Sequence, residues 1–196
     1  DEQIDECLEV VKELNSQKRT VYFEVIEALK KKDIVIAKYD ELDKDEQSLL
    51  REEYYKNIFP LVTPLAMDSA HPFPFLSNLS LNLMTTLQLP DEDTTVQARV
   101  KVPVGGNTPR FIRVGNANKF VPLEQIMANN LDLLFPGMDI VKCEIFRVTR
   151  NANTERDEEQ ADDLLAMIET ELRDRKFATT VRLEVENGFT PVHQGM

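Results

Sequence analysis

The sequence predicts an α+β fold: a largely antiparallel sheet covered by helices and led into by one long N-terminal helix. Two patterns carry that expectation. Apolar residues recur at helical spacing from Ile4 to Lys32, with no proline or glycine in the stretch. Farther on, strand-like segments at 79–89, 96–102, 111–114, 140–150 and 180–186 are separated by turn signals and two more helical patterns.

The lead-in helix has Ile4, Leu8, Val11 and Leu14, then Val21, Val25 and Leu29, on its stripe, and Lys30-Lys31-Lys32 suits its C-terminus. At 1.5 Å per residue it would reach about 43 Å, the full diameter of a compact chain of this size. It therefore spans the domain or projects from it, with a bend or a solvated patch expected at 15–20, and a neighbouring domain or subunit would cover its stripe. Ile34-Val35-Ile36 reads as a short buried strand. Asp43 or Asp45 can then cap a helix through Leu49, Leu50, Tyr54 and Ile58 that ends before Pro60.

Residues 57–90 hold a single charge, Asp68, where about ten would follow from the 30% charged composition. So little charge predicts burial in a core or an interface. Five prolines exclude a membrane helix. The stretch reads as a proline-stiffened loop from Phe59 to Phe75. A strand follows with Leu79, Leu81 and Leu83 and, after a slip, Leu87 and Leu89 facing inward; Ser80, Asn82 and Thr86 take the other face. Residues 103–109 carry proline and glycine signals for a hairpin between the strands at 96–102 and 111–114. A helix over 123–134 stops at Pro136-Gly137, and the strand at 140–150 comes next. Asn153 or Thr154 caps a helix burying Ala161, Leu164, Leu165, Ile168 and Leu172, with its acids first and its bases last.

With 196 residues and 42% apolar content the chain is long enough for one substantial domain, burying about 70% of its unfolded surface. Its opening at Asp1, mid-pattern and without methionine, reads as the cut end of something longer. No apolar stretch reaches the ~20 residues of a membrane span, and the acidic start is unlike a signal peptide. Cys7 and Cys143 form no disulfide framework, which favours a reduced, cytoplasmic setting. The net charge of −12 argues against general nucleic-acid binding, and the aromatics do not interleave with bases as single-strand stacking would need. Yet residues 95–150 hold eight bases against four acids, +4, leaving −16 on the rest.

No complete active site emerges. His71 and His193 are isolated, no histidine stands near either cysteine in sequence, and no Cys or His pair has metal spacing. Asn151, Asn153 and Glu155 imitate a calcium loop, but Arg156 replaces its glycine and Asp162 its closing glutamate. Phosphate-cradling glycine motifs are absent. The basic strands are the chemical candidates: Arg99 and Lys101 share one face, as do Arg147 and Thr149, with Arg150 near the strand end. Guanidinium groups on rigid strands suit phosphoryl oxygens, against the plainer reading of a solvated face. His71, with Phe73, Phe75 and Asn78, reads as a set of loop or interface anchors.

The uncharged stretch also carries a resemblance. Pro64-Leu65-Ala66-Met67-Asp68 and the string His71-Pro72-Phe73-Pro74-Phe75-Leu76-Ser77-Asn78-Leu79-Ser80-Leu81-Asn82-Leu83 closely resemble the middle, or head, domain of polyphosphate kinases. So do Arg99-Val100-Lys101-Val102-Pro103, Pro109-Arg110-Phe111, residues 131–138, and the run from Phe146 to Asn153, where the family more usually ends on aspartate. The resemblance implies a bacterial-type enzyme that reversibly moves the terminal phosphate of ATP onto inorganic polyphosphate through a phosphohistidine. It also implies that the phosphorylated histidine, the magnesium-binding residues and most phosphate contacts belong to two C-terminal domains. The adenine contact belongs to an N-terminal helical domain. On that reading, residues 1–32 lead in from the N-terminal domain, 33–186 form the head domain, and 187–196 run toward the catalytic domains. No catalytic residue carries over, and neither His71 nor His193 matches the phosphohistidine motif. ATP and magnesium would then serve the whole enzyme and no cofactor this stretch. Its partners would be its own flanking domains and a second copy in a homodimer, with polyphosphate along the basic strands and no nucleic acid. The rival reading is a stand-alone polyanion-binding module.

Overall fold

Helix α1 (Glu2–Lys30) runs without interruption through residues 15–20. The chain then reverses through Asp33, whose φ of 60° is left-handed, and the Ile34 amide returns to the Leu29 carbonyl at 3.0 Å, closing the helix end. The computed structural model describes residues 2–67, 74–90, 94–151, 178–186 and 188–190. The late helix expected between Asn153 and Lys176 lies outside them, as do the proposed anchors His71 and Phe73.

The remaining elements are β1 (Val35–Ile36), α2 (Lys44–Glu53), β2 (Pro64–Met67), β3 (Leu81–Gln88), β4 (Thr95–Lys101), β5 (Phe111–Arg113), β6 (Lys119–Pro122), α3 (Leu123–Ala128), β7 (Asp139–Arg150) and β8 (Thr180–Val185). They form an antiparallel five-stranded sheet in the order β2-β4-β3-β7-β8. A second sheet, β1-β6-β5, pairs β1 parallel to β6. The expected α+β class and long first helix are both present.

Asp43 is the cap of α2: its carboxylate accepts from the Glu46 amide at 2.8 Å, and Glu46 bonds back to the Asp43 amide. Toward its end the helix widens into a π-turn over Tyr54–Ile58, closed by the Phe59 amide on the Tyr54 carbonyl. Pro60 has no N–H to continue the ladder and crowds the carbonyl four residues back. Leu50 is buried as expected, whereas Leu49 is exposed.

Several expectations are corrected. The proline-stiffened loop contains strand β2, which the sheet accepts because it is an edge strand and Pro64 is its first residue. Residues 103–109 make a tight turn between Gly105 and Thr108, but β4 and β5 do not pair; the turn carries the chain from one sheet to the other. The helix expected over 123–134 stops at Ala128, and a 3-10 turn at Leu131–Leu133 follows. The inward residues of β3 need no slip, since Leu81, Leu83 and Leu87 alternate regularly against β4. The irregularity sits in β7, where Val141 has no partner opposite the Thr86–Leu87 step and is exposed.

Leu79 lies outside the strand, left-handed and exposed. Central strand β3 is buried on both faces. Its inner face, with Leu83 and Leu87, joins Ala98, Val100, Leu50, Tyr54, Val121 and Ile126 in the main core. Its outer face places Met84 with Leu76, Phe146, Val148 and Phe189 in a smaller cluster. The expected short strand at 34–36 is β1, half-buried rather than buried.

Candidate functional site

Strand register decides which cations share a face. On β4, Ala98 and Val100 enter the main core, so Gln97, Arg99 and Lys101 point to the outer face. On β7 the outer face bears Lys142, Glu144, Phe146 and Val148, and the same alternation places Arg150 on that side, toward residues 75–78; the extra residue of the β7–β8 pairing, Val181, is on β8. Arg147 lies opposite Leu81 on the inner side, where its Nε and Nη2 donate to Glu184 at 2.8 and 2.7 Å. The four expected polyanion contacts thus divide three to one.

The three on the outer face converge on one tetrapeptide. Arg99 Nη2 donates to the Phe75 carbonyl at 3.4 Å and Nη1 to Asn82 Oδ1 at 3.3 Å. Arg150 Nε donates to the Leu76 carbonyl at 2.9 Å, its Nη1 to the Ala178 carbonyl at 2.7 Å, and its amide to Asn78 Oδ1 at 2.8 Å. The guanidinium also stands 4.6 Å from the centre of the Phe75 ring, within cation–π range. Lys101 Nζ reaches Ser77 Oγ at 3.5 Å. Two predicted groups, the basic residues and the anchors Phe75 and Asn78, therefore form a single assembly.

The remaining polar residues of the string complete it, and the sequence reading had given them no role. Asn82, wholly buried, donates to the Ser80 carbonyl at 2.8 Å while accepting from Arg99. Ser80 Oγ donates to the Ser77 carbonyl at 2.7 Å, and the Leu79 amide to the Val148 carbonyl at 2.9 Å. The signal was present in the sequence as serines and asparagines within a nearly uncharged run, residues suited to local backbone bonds.

Electrostatically the assembly gathers three cations on one segment. Several other cations meet acids, Arg51 with Asp132, Arg110 with Glu124, Lys119 with Glu46 and Lys142 with the buried Glu144, whereas Arg113 donates to oxygens of its own turn at 116–118. Arg99, Lys101 and Arg150 meet no carboxylate among the described residues. Arg99 is 8% exposed, its Nε has no hydrogen-bond partner, and burial pulls its pKa below the ordinary arginine value. Its neighbours across the sheet on that face are Leu65 and Met84.

No group of three or more acids, histidines or cysteines that could hold a metal ion occurs among the described residues. Burial pushes the Cys143 thiol up to about 12, which disfavours the thiolate. A groove of about 670 Å³ lies elsewhere, between α2 with its π-turn and residues 107–115. Glu52 on its wall is paired with Lys56, and nothing in the groove makes a nucleophile–base pair. No helix among the described residues is long and apolar enough to cross a membrane.

Comparison with known proteins bears on the family and the fold. The family model described as the polyphosphate kinase middle domain matches residues 45–196. The polyphosphate kinase of Thermosynechococcus vestitus is 43% identical over 172 residues, covering 84% of this chain and 23% of that protein. That of a Synechocystis strain is 43% identical over 203 residues, covering 97% and 28%. The chain thus spans about a quarter of the length of these relatives. The crystal structure of polyphosphate kinase from Porphyromonas gingivalis superposes with a TM-score of 0.59 over 70% of this chain and 24% of that one. At 22% identity that likeness speaks for the fold.

Proposed function

This chain belongs to the polyphosphate kinase middle-domain family, and from that premise we propose that it is the assembly portion of a larger phosphotransferase. The parent enzyme would move the terminal phosphate of ATP onto inorganic polyphosphate, reversibly and in the cytoplasm. Its reactive histidine, nucleotide site and magnesium would belong to regions outside this chain. Residues 1–32 would lead in from the N-terminal part, 33–186 would form the head domain, and 187–196 would lead toward the catalytic part.

The observation that carries the assembly role is the surface of α1. Ile4, Leu8, Val11, Leu14, Val21 and Val25 are all exposed on a 29-residue helix. Isolated exposed apolar residues need no explanation, but a helical stripe of them marks a surface that another body covers. A second copy and the chain's own flanking domains are the covering bodies that this family reading supplies. The sheet contributes rigidity: Arg99 and Arg150 hold the Phe75–Asn78 segment against it.

Light scattering tests the role directly. The chain should approach twice its 22.5 kDa mass as concentration rises. A constant 22.5 kDa up to the highest soluble concentration would remove self-association from the proposal.

A further inference from the structure

We propose that Arg99, Lys101 and Arg150, beneath the segment Phe75–Asn78, form an anion subsite for the phosphoryl oxygens of a condensed phosphate. The ligand class rests on the family reading above; the site itself rests on geometry. Three cations touch successive residues of one tetrapeptide, so all three lie within a span of about 11 Å. None meets a carboxylate among the described residues, although the whole chain holds 35 acids against 23 bases.

A buried guanidinium without an anion is costly, and neutral carbonyl oxygens at 3.3–3.4 Å compensate it weakly. Arg99 keeps its Nε unpartnered in addition. Each guanidinium presents parallel donors that match two oxygens of a phosphoryl group, and the ammonium of Lys101 adds a point charge at the rim. A chain of linked phosphates offers oxyanions to all three at once. Entry runs through the covering segment, whose Phe75 and Asn78 are exposed. In the bound state phosphoryl oxygens replace the carbonyls of Phe75 and Leu76 as acceptors, so occupancy loosens the segment that the arginines otherwise hold. Arg147 takes no part, because it sits on the opposite face with its charge answered by Glu184.

The experiment is calorimetric titration of the whole chain with tripolyphosphate at two salt concentrations. Wild type, Lys101→Gln, Arg150→Gln and Arg147→Gln would be compared, each first checked for an unchanged melting profile. Lys101 is exposed, so its variant folds whatever happens to Arg150. The proposal expects wild-type binding that weakens with salt. Lys101→Gln should lose roughly fivefold in affinity and about one unit of salt slope. Arg150→Gln should lose at least as much, and Arg147→Gln nothing. Absent wild-type binding, or equal losses from Arg147→Gln and Lys101→Gln, would overturn it. Mass measured on the same samples keeps the two readings apart: a dimer that does not bind tripolyphosphate ends the subsite and leaves the assembly role standing.

Discussion

The hydroxyl of Tyr54 is buried without a hydrogen-bond partner among the described residues, and burial pushes its pKa up to about 12. Its ring fills the main core at the start of the π-turn. A buried polar group with no partner costs stability, and replacing it by hydrogen removes that cost while keeping the ring. Tyr54→Phe should therefore melt at the same temperature as wild type or higher. A loss of about 1 kcal/mol or more would mean that the hydroxyl is satisfied after all. Single-residue properties of this kind were largely hidden in the sequence. Alternation placed Arg99 and Lys101 on one face but said nothing of what covers that face. The cover comes from Phe75, 24 positions earlier, and no local pattern encodes that meeting. Alternation separated Arg147 from Arg150, but that Glu184 answers the charge of Arg147 comes only from the pairing of β7 with β8.

Elements were more legible, for reasons of period and punctuation. Helix α1 declares itself through 29 residues without proline or glycine, and α2 through Asp43 and Glu46. β3 was found because β-branched and apolar residues crowd a run with no charge. β6 was missed: four residues ending in proline give too short a pattern to separate from a loop. β2 was missed because two prolines flank a strand exposed at its centre. The turn at 105–108 was readable, but its partner strands were not, since a turn signal does not say which strands it joins.

The exposure of α1 has a consequence at this scale. Leu8→Glu alters the stripe without touching the core, so the melting temperature should move by no more than a surface change allows, about 0.5 kcal/mol. The mass at high concentration should nevertheless fall toward the monomer. A large loss of stability with the mass unchanged would place α1 against its own domain.

The whole molecule is not a compact sphere. Its accessible surface is 13,855 Å², against about 9,500 Å² for a compact chain of this mass, and a helix exposed along its length accounts for part of the difference. Net charge and composition could indicate a domain but not its setting. The uncharged string was more informative because its serines, asparagines and phenylalanines make one interlocked set of bonds with the basic strands. The proposed assembly role draws on the same arrangement. Side chains that resembled ligand contacts are bound to the protein's own loop, and no group of acids, histidines or cysteines that could hold a metal ion stands among the described residues.

The central proposal is that this chain is part of a phosphotransferase whose reactive groups would lie outside these residues. The most direct test incubates these 196 residues with terminally labelled ATP, magnesium and polyphosphate, then measures label in polymer and in protein. The account predicts neither labelled polymer nor acid-labile label on the protein. Either product formed at a rate that rises with protein concentration would contradict it.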